Sequence, residues 1–309
     1  MEPLHELRDS ILRHGKGVPL ATPWSDRLGL KFIVERSTTG EPIHLVHEPL
    51  FGVVVQGEKQ LAIGDKLFTC RRGHSLVVSV DLPVTLRISG ASPNQPYLAI
   101  AMALKPALVA TLLLEAAGAN GFPMEAAGLG VGVAPRDLLE AIVRLVRLLD
   151  HPRDVPVLGP LAEQEIMWRL LCSEQGPRLR QVGLADSHLS QLGRAMRWMR
   201  DNYSEKVRIE ELARLSGMSV TSFHRQFHAV AFMSPLQYLK QIRLQEARAR
   251  LLAGAEGVAR VGHVVGYDSA SQFSREYKRA FGFPPGQDAR ILRASARPRL
   301  KAPRTARAR

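Results

Sequence analysis

The stretch that decides the fold is IEELARLSGMSVTSFHRQF, residues 209–227, because it returns in degenerate form as VARVGHVVGYDSASQFSREY, residues 258–277. Ile209, Leu212, Ala213, Ser216 and Gly217 find counterparts 49 positions later in Val258, Val261, Gly262, Val265 and Gly266. Asp268 then adds a residue, and Ser219, Phe223, Arg225 and Phe227 correspond to Ser269, Phe273, Arg275 and Tyr277. In the first copy the apolar positions fall at i, i+3, i+4 and i+7, the stripe of a helix packed on a core. Gly217 suits the left-handed residue that ends it, and Ser219 caps a second helix. That helix buries Phe223 and Phe227 and turns Thr221, His224 and Arg225 elsewhere. The second copy repeats the plan. Gly262 costs its first helix about 1 kcal/mol relative to alanine, so that helix reads as the weaker one. Ser269 and Gln272 have the spacing of a capping box, and Ala270, Ser271, Ser274 and Arg275 are left on the outer face.

The segment between the copies is also readable. Ser234, Pro235 and Gln237 combine an N-cap serine, a first-turn proline and a capping-box glutamine, and Gly254 closes the helix. That predicts a strut of roughly 18 residues, about 27 Å long, close to one duplex turn of about 34 Å. Two such helix-turn-helix units suit successive major grooves, particularly of bent DNA. Arginine at Arg225 and Arg275 supports bidentate pairing to guanine, whereas the hydroxyls of Thr221, Ser271 and Ser274 suit bases or phosphates alike. Ala270 offers only apolar contact. Lys240, Arg243, Lys278 and Arg279 read as phosphate contacts or surface.

Charge is placed accordingly. The 309-residue chain carries a formal charge of +13, with 19 Lys/Arg against 19 Asp/Glu in residues 1–180 and 23 against 10 in residues 181–309. The basic tail 295–309 supplies six of these charges and reads as disordered; without it an excess of about seven remains. Such a field favours a polyanion as partner, and nucleic acid is the commonest one. An apolar fraction of 45% is enough for two cores. No long apolar span or secretory leader is apparent, and the two distant cysteines, Cys70 and Cys172, fit a reducing cytoplasm.

Upstream, apolar or alternating runs at 30–34, 50–56, 60–63, 66–70, 75–80, 84–89 and 97–102, punctuated by Gly, Asp and Pro, predict an antiparallel sandwich or small barrel. Helical spacing follows. One stripe comprises Leu138, Ile142, Leu145, Val146 and Leu149 behind Pro135, and a second comprises Leu161, Ile166 and Leu170. These helices either pack on the barrel or pair two subunits. The domains expected are therefore 1–172, a β-barrel with a helical extension; 173–186, a linker; 187–294, the all-α region; and the tail. The fold class is α+β.

The run from Val265 to Pro285, VGYDSASQFSREYKRAFGFPP, resembles the signature of the AraC family of bacterial transcription regulators, and residues 209–227 and 234–238 match the preceding part of that domain. The resemblance implies double-stranded promoter DNA as ligand, with Thr221, His224, Arg225, Ala270, Ser271, Ser274 and Arg275 facing it. Glu48-Pro49-Leu50, residues 55–59, residues 79–83 and Pro96-Tyr97-Leu98 resemble the N-terminal region of an AraC-type subgroup, a cupin-like barrel for effector sensing or dimerisation. A small-molecule effector, a homodimer and, for an activator, RNA polymerase are the partners implied.

Other chemistries compete with this reading. His44, His47, Glu48 and His74 lie in the barrel, but His-x-x-His is not the His-x-His of one strand face, so no metal or cofactor is expected. Arg71 and Arg72 could lower the pKa of Cys70, against the plainer role of a buried hydrophobe. The run Gly128, Gly130, Gly132 lacks a preceding strand and reads as a flexible connector. A cupin enzyme or a thiol-based repair or sensor protein fused to a DNA-binding domain is the rival, opposed by the histidine and cysteine spacings.

Overall fold

The computed structural model describes residues 2–15, 28–115, 127–184, 187–254 and 256–296. Most of the basic tail and residues 185–186 of the expected linker lie outside them. Helix α1 (Pro3–His14) precedes eight strands: β1 (Leu30–Glu35), β2 (Ile43–His47), β3 (Leu50–Gln56), β4 (Glu58–Ile63), β5 (Lys66–Arg71), β6 (His74–Val78), β7 (Leu82–Ser89) and β8 (Tyr97–Ala103). Helix α2 (Pro106–Glu115), strand β9 (Leu129–Val133) and helices α3 (Arg136–Arg147), α4 (Val155–Leu171), α5 (Gly176–Gly183) and α6 (His188–Asp201) complete the N-terminal part. All strand pairings are antiparallel, in a five-stranded sheet ordered β1-β8-β3-β6-β9 and a four-stranded sheet ordered β2-β7-β4-β5. The overall class is α+β. Alternation decides which side chains enter the core: on β4 the buried residues are Lys59, Leu61 and Ile63, while Glu58, Gln60 and Ala62 are half-buried.

Several elements differ from the sequence reading. The glycine run is not a connector but strand β9, hydrogen-bonded to β6 in the register His74↔Val133 to Val78↔Leu129. Its glycines are there for α5: a Cβ on Gly130 would run into the Arg178 guanidinium, and one on Gly132 would come 2.8 Å from Gln175 Nε2. The segment 173–186 is correspondingly more than a tether, since α5 buries Arg178, Leu179, Gln181 and Val182. On α4, Ile166 and Leu170 are buried but Leu161 is 59% exposed, so it is not part of that core stripe. Pro135 is the N-cap of α3 rather than a first-turn residue.

The C-terminal helices are α7 (Ile209–Leu215), α8 (Val220–Ala231), α9 (Pro235–Ala253), α10 (Val258–Val264), α11 (Ala270–Phe281) and α12 (Pro285–Ala296). The compact units do not divide at 173–186. One unit comprises Met1–Asp201 with Val207–Leu239, and the other Asn202–Lys206 with Lys240–Arg309, so the boundary falls within α9. The first helix pair therefore belongs with the sheets.

Candidate nucleic-acid interface and cavity

The two helix pairs form by the local signals expected. Gly217 and Gly266 take left-handed backbone, φ 63° and 92°, at the turns after α7 and α10. At Gly266 glycine is doubly required, because a Cβ would lie 2.6 Å from the Ser204 carbonyl oxygen. Ser219 Oγ accepts from the Ser222 amide and Ser269 Oγ from the Gln272 amide, both at 3.3 Å. Only half of the predicted capping box on α11 exists: the Gln272 amide nitrogen Nε2 donates to Glu276 instead of reaching back to Ser269. On α9 the box is complete, with Ser234 N donating to Gln237 Oε1 at 3.0 Å and Gln237 N to Ser234 Oγ at 3.3 Å.

Burial then sorts the faces. Phe223 and Phe227 on α8, and Phe273 and Tyr277 on α11, are fully buried. Thr221, His224 and Arg225 are exposed, as are Ala270, Ser271 and Arg275, while Ser274 is half-buried. Each helix thus carries its sequence-identified residues away from the core side. Arg243 does not join the basic surface: it donates to the carbonyls of Tyr203 at 2.6 Å and Glu205 at 2.9 Å. Lys278 and Arg279 are exposed.

Gly262 has a packing reason. A Cβ there would come 2.8 Å from Cδ1 of Phe273, whose ring sits between Tyr267 and Tyr277 at centroid distances of 5.3 and 5.6 Å. The glycine that weakens α10 as an isolated helix lets α11 approach it closely. Behind α11, Asp288 on α12 is fully buried, accepting two hydrogen bonds from Arg248 at 2.8 and 3.1 Å and one from the Tyr277 hydroxyl at 2.7 Å. Arg248 also lies over the Phe281 ring at 4.6 Å.

The first helix pair docks on the sheets. After α8, Phe232 adopts left-handed backbone, φ 56°, and its ring packs on Phe68 of β5 at 5.8 Å. Gly64, in the β4–β5 turn, is kept bare by the Phe232 carbonyl, which a Cβ would strike. The Gly128 amide donates to the Val230 carbonyl at 3.0 Å. From α9, the buried Tyr238 hydroxyl donates to the Asp81 carbonyl at 2.8 Å, and Arg200 of α6 donates to Asp81 Oδ1 at 2.7 Å and Glu48 Oε1 at 3.0 Å. Burial pushes the Asp81 carboxyl up to about 6, against the opposing pull of Arg200 and Arg197.

Arg200 also borders a partly open cavity of about 530 Å³ lined by both sheets. Its walls include Ile33, Leu45, Leu50, Val53, Leu76 and Ile100; its polar groups are Lys31, His47, Glu48, Lys59 and Arg200. Burial lowers the pKa of Lys59, and burial reinforced by Lys59 and Lys31 lowers that of His47 to about 3, leaving the imidazole neutral. Lys59 and Lys31 were missed in the sequence, although alternation with Leu61 and Ile63 marks Lys59 as inward-facing. His44 bonds to Thr85 at 3.0 Å, and among the described residues no group of three or more His, Cys, Asp or Glu could hold a metal. Cys70 is buried, and burial raises its thiol pKa rather than Arg71 and Arg72 lowering it. Arg71 pairs with Glu58, and Arg72 with Glu2. No helix among the described residues is long and apolar enough to cross a membrane.

Comparison with known proteins divides the chain earlier, between residues 178 and 212, and places both helix pairs in one family match. Residues 29–178 match the family "AraC-type transcriptional regulator N-terminus", and residues 212–290 match a helix-turn-helix domain family. The chain is 33% identical over 88 residues to the HTH-type transcriptional activator RhaS of Pectobacterium carotovorum, covering 28% of this chain and 32% of RhaS. It is 30% identical over 155 residues to the virulence regulon transcriptional activator VirF of Yersinia enterocolitica, covering 48% and 55%. The aligned part thus spans from a third to about half of these relatives. The fold is similar to that of ToxT from Vibrio cholerae, with TM-score 0.55 at 8% identity over 85% of this chain and 98% of that one. ToxT has also been solved bound to (E)-4-(8-methylnaphthalen-1-yl)but-3-enoic acid.

Proposed function

The chain belongs to the AraC family of transcription regulators, and from that membership we propose that it binds specific sites in double-stranded promoter DNA through α8 and α11, under control of a small molecule held between the sheets. The observation that carries the reading is the two-sidedness of both helices: Phe223 and Phe227 are sealed beneath exposed Thr221, His224 and Arg225, and Phe273 and Tyr277 beneath exposed Ala270, Ser271 and Arg275. Arg225 and Arg275 are the base readers in this scheme, with Ser271, Ser274 and Thr221 contacting bases or phosphates.

Control operates through the Asp81 junction. Arg200 borders the cavity and holds Asp81, whose carbonyl anchors Tyr238 at the start of α9. An occupant that binds better to one arrangement of Arg200 biases the first reader by that difference in affinity. The ligand-bound state of ToxT supports a small-molecule effector. The exposed apolar stripe Val157, Leu161 and Trp168 on α4 supports pairing with a second copy. We place the protein in the cytoplasm, assign it no catalytic role, and expect contact with RNA polymerase if it activates.

Mapping its genomic binding sites and measuring Arg275→Ala on them tests the proposal. The variant is expected to lose about 1–3 kcal/mol on the cognate site and to relax one base position, with binding to random DNA nearly unchanged. Equal loss on both would reduce Arg275 to a phosphate contact. Paired half-sites in the mapped sequences would mark a dimer.

A further inference from the structure

We propose that Gln272 of α11 reads an adenine in the major groove and that Glu276, one turn further on, fixes its amide for that base. The inference rests on the DNA-binding reading above and adds to it a specificity-determining residue and the residue that positions it.

Its starting point is a side chain released from the role its spacing suggests. Gln272 stands three residues after the cap Ser269, yet its Nε2 turns along the helix and donates to Glu276 Oε1 at 3.3 Å. The residue is exposed. At about 100° of turn per residue, Arg275 points directly away from the midline between the buried Phe273 and Tyr277, and Gln272 lies about 60° round the helix from Arg275. Ser274 lies about 100° from Arg275 and is half-buried. Gln272 therefore shares the outer face with Arg275 more closely than Ser274 does.

Glu276 is itself held. Its Oε2 accepts from the Tyr267 hydroxyl at 2.9 Å, and Lys240 Nζ stands 3.9 Å from the same oxygen. Tyr267 is buried with its ring against Phe273 at 5.3 Å, so the carboxylate is tied to the core of the second helix pair. The Lys240 ammonium opposes the repulsion between this carboxylate and the duplex phosphates. A glutamine amide has two N–H donors and one carbonyl acceptor. Held by Glu276 through one N–H, the amide of Gln272 cannot turn end for end, and one donor and the acceptor remain for a base. In the major groove adenine offers N7 as acceptor and its N6 amino group as donor, and so uses both. Guanine presents two acceptors, one of which would face the amide carbonyl, while cytosine supplies a donor alone and thymine an acceptor and a methyl. An amide released from Glu276 could swing its donors toward either purine. The carboxylate thus sharpens adenine against guanine.

The test selects binding sites for the full-length protein from duplex oligonucleotides with a randomised core and reads the base frequencies at each position. Wild type is expected to prefer adenine by at least about fivefold at one base pair close to the pair that Arg275→Ala relaxes. Gln272→Ala should erase that preference, and Gln272→Glu should move it to cytosine, from whose amino group a carboxylate accepts. Glu276→Ala should raise guanine at that pair alone. Retained preference at the pair governed by Arg275 shows that α11 is folded in each variant. The proposal is overturned if the Gln272 variants change no position, or if Glu276→Ala leaves adenine against guanine unchanged or flattens every position together. Should wild type enrich no sequence, the DNA-binding reading falls with it; should Arg275→Ala relax a pair while the Gln272 variants do nothing, only this assignment falls.

Discussion

Replacing Asp288 by Asn should loosen the second helix pair without unfolding the rest of the chain. Asp288 is fully enclosed and joins three helices: it takes both guanidinium hydrogen bonds from Arg248 on α9 and the hydroxyl of Tyr277 on α11, from its own place on α12. Asparagine keeps the shape and one acceptor but removes the charge that balances Arg248, whose side chain is 12% exposed. Breaking a buried pair by removing one partner costs about 3–5 kcal/mol, and the slight exposure of Arg248 favours the lower end. The α11 core ring Tyr277 also loses a hydrogen bond to a charged acceptor. A loss of about 3 kcal/mol corresponds to roughly a hundredfold more frequent local opening. Tryptophan fluorescence does not report this event, since all three tryptophans, Trp24, Trp168 and Trp198, precede α9 in the sequence. Amide hydrogen exchange resolved to peptides across α10, α11 and α12 does. Protection there should fall by about two orders of magnitude while that of β3 and β8 holds. An unchanged exchange rate in α11 would refute the inference that this cluster secures α11. The pairing argument also requires that Arg248→Met combined with Asp288→Leu be less damaging than Asp288→Asn alone.

Two further outcomes are open to measurement. Gly262→Ala gains about 1 kcal/mol of helix propensity but forces a methyl into the Phe273 ring, and overpacking of about 1–3 kcal/mol should leave the variant less stable, a sign read from denaturant midpoints followed by α11 exchange. A more stable variant would mean that the ring yields. At Asp81 the folded protein holds a proton up to about pH 6, against an ordinary value of 3.8, so its contribution favours folding at acid pH and is lost as pH rises through that window. The groups facing it are Arg200, Arg197, Glu48 and Asp201. Thermal melts of wild type and Asp81→Asn should therefore differ progressively in favour of the variant from about pH 4 to pH 6, and a constant difference would show that Asp81 does not titrate there.

What was legible in the sequence was local. Phe223 with Phe227 and Phe273 with Tyr277 fall one helical turn apart, and serines or glycines sit at the caps, so each helix pair could be read without knowing its neighbours. Strand β2 escaped because His44 and His47 interrupt its apolar pattern and all five of its residues are half-buried. Strand β9 escaped because its glycines answer to Arg178 and Gln175, some 45 residues away, and not to a turn. Gly262 was misread for the same reason: its propensity cost is visible in one dimension, but the Phe273 ring it accommodates is not. Lys59 could have been found from alternation alone.

The Phe232 junction changes where this protein can be recombined. Phe232 holds a backbone conformation that non-glycine residues rarely adopt, against a bare Gly64 and the Phe68 ring on the β4–β5 hairpin. That hairpin is in effect a third support for a helix pair otherwise framed by α6 and α9. A hybrid joined between 173 and 186 would graft α8 onto a foreign sheet lacking this socket. One joined within α9, after Leu239, would inherit the sheets and the first helix pair as a matched set and exchange only the second pair. Diversification of the proposed sequence specificity, with the sheets and the first helix pair retained, has its natural seam there.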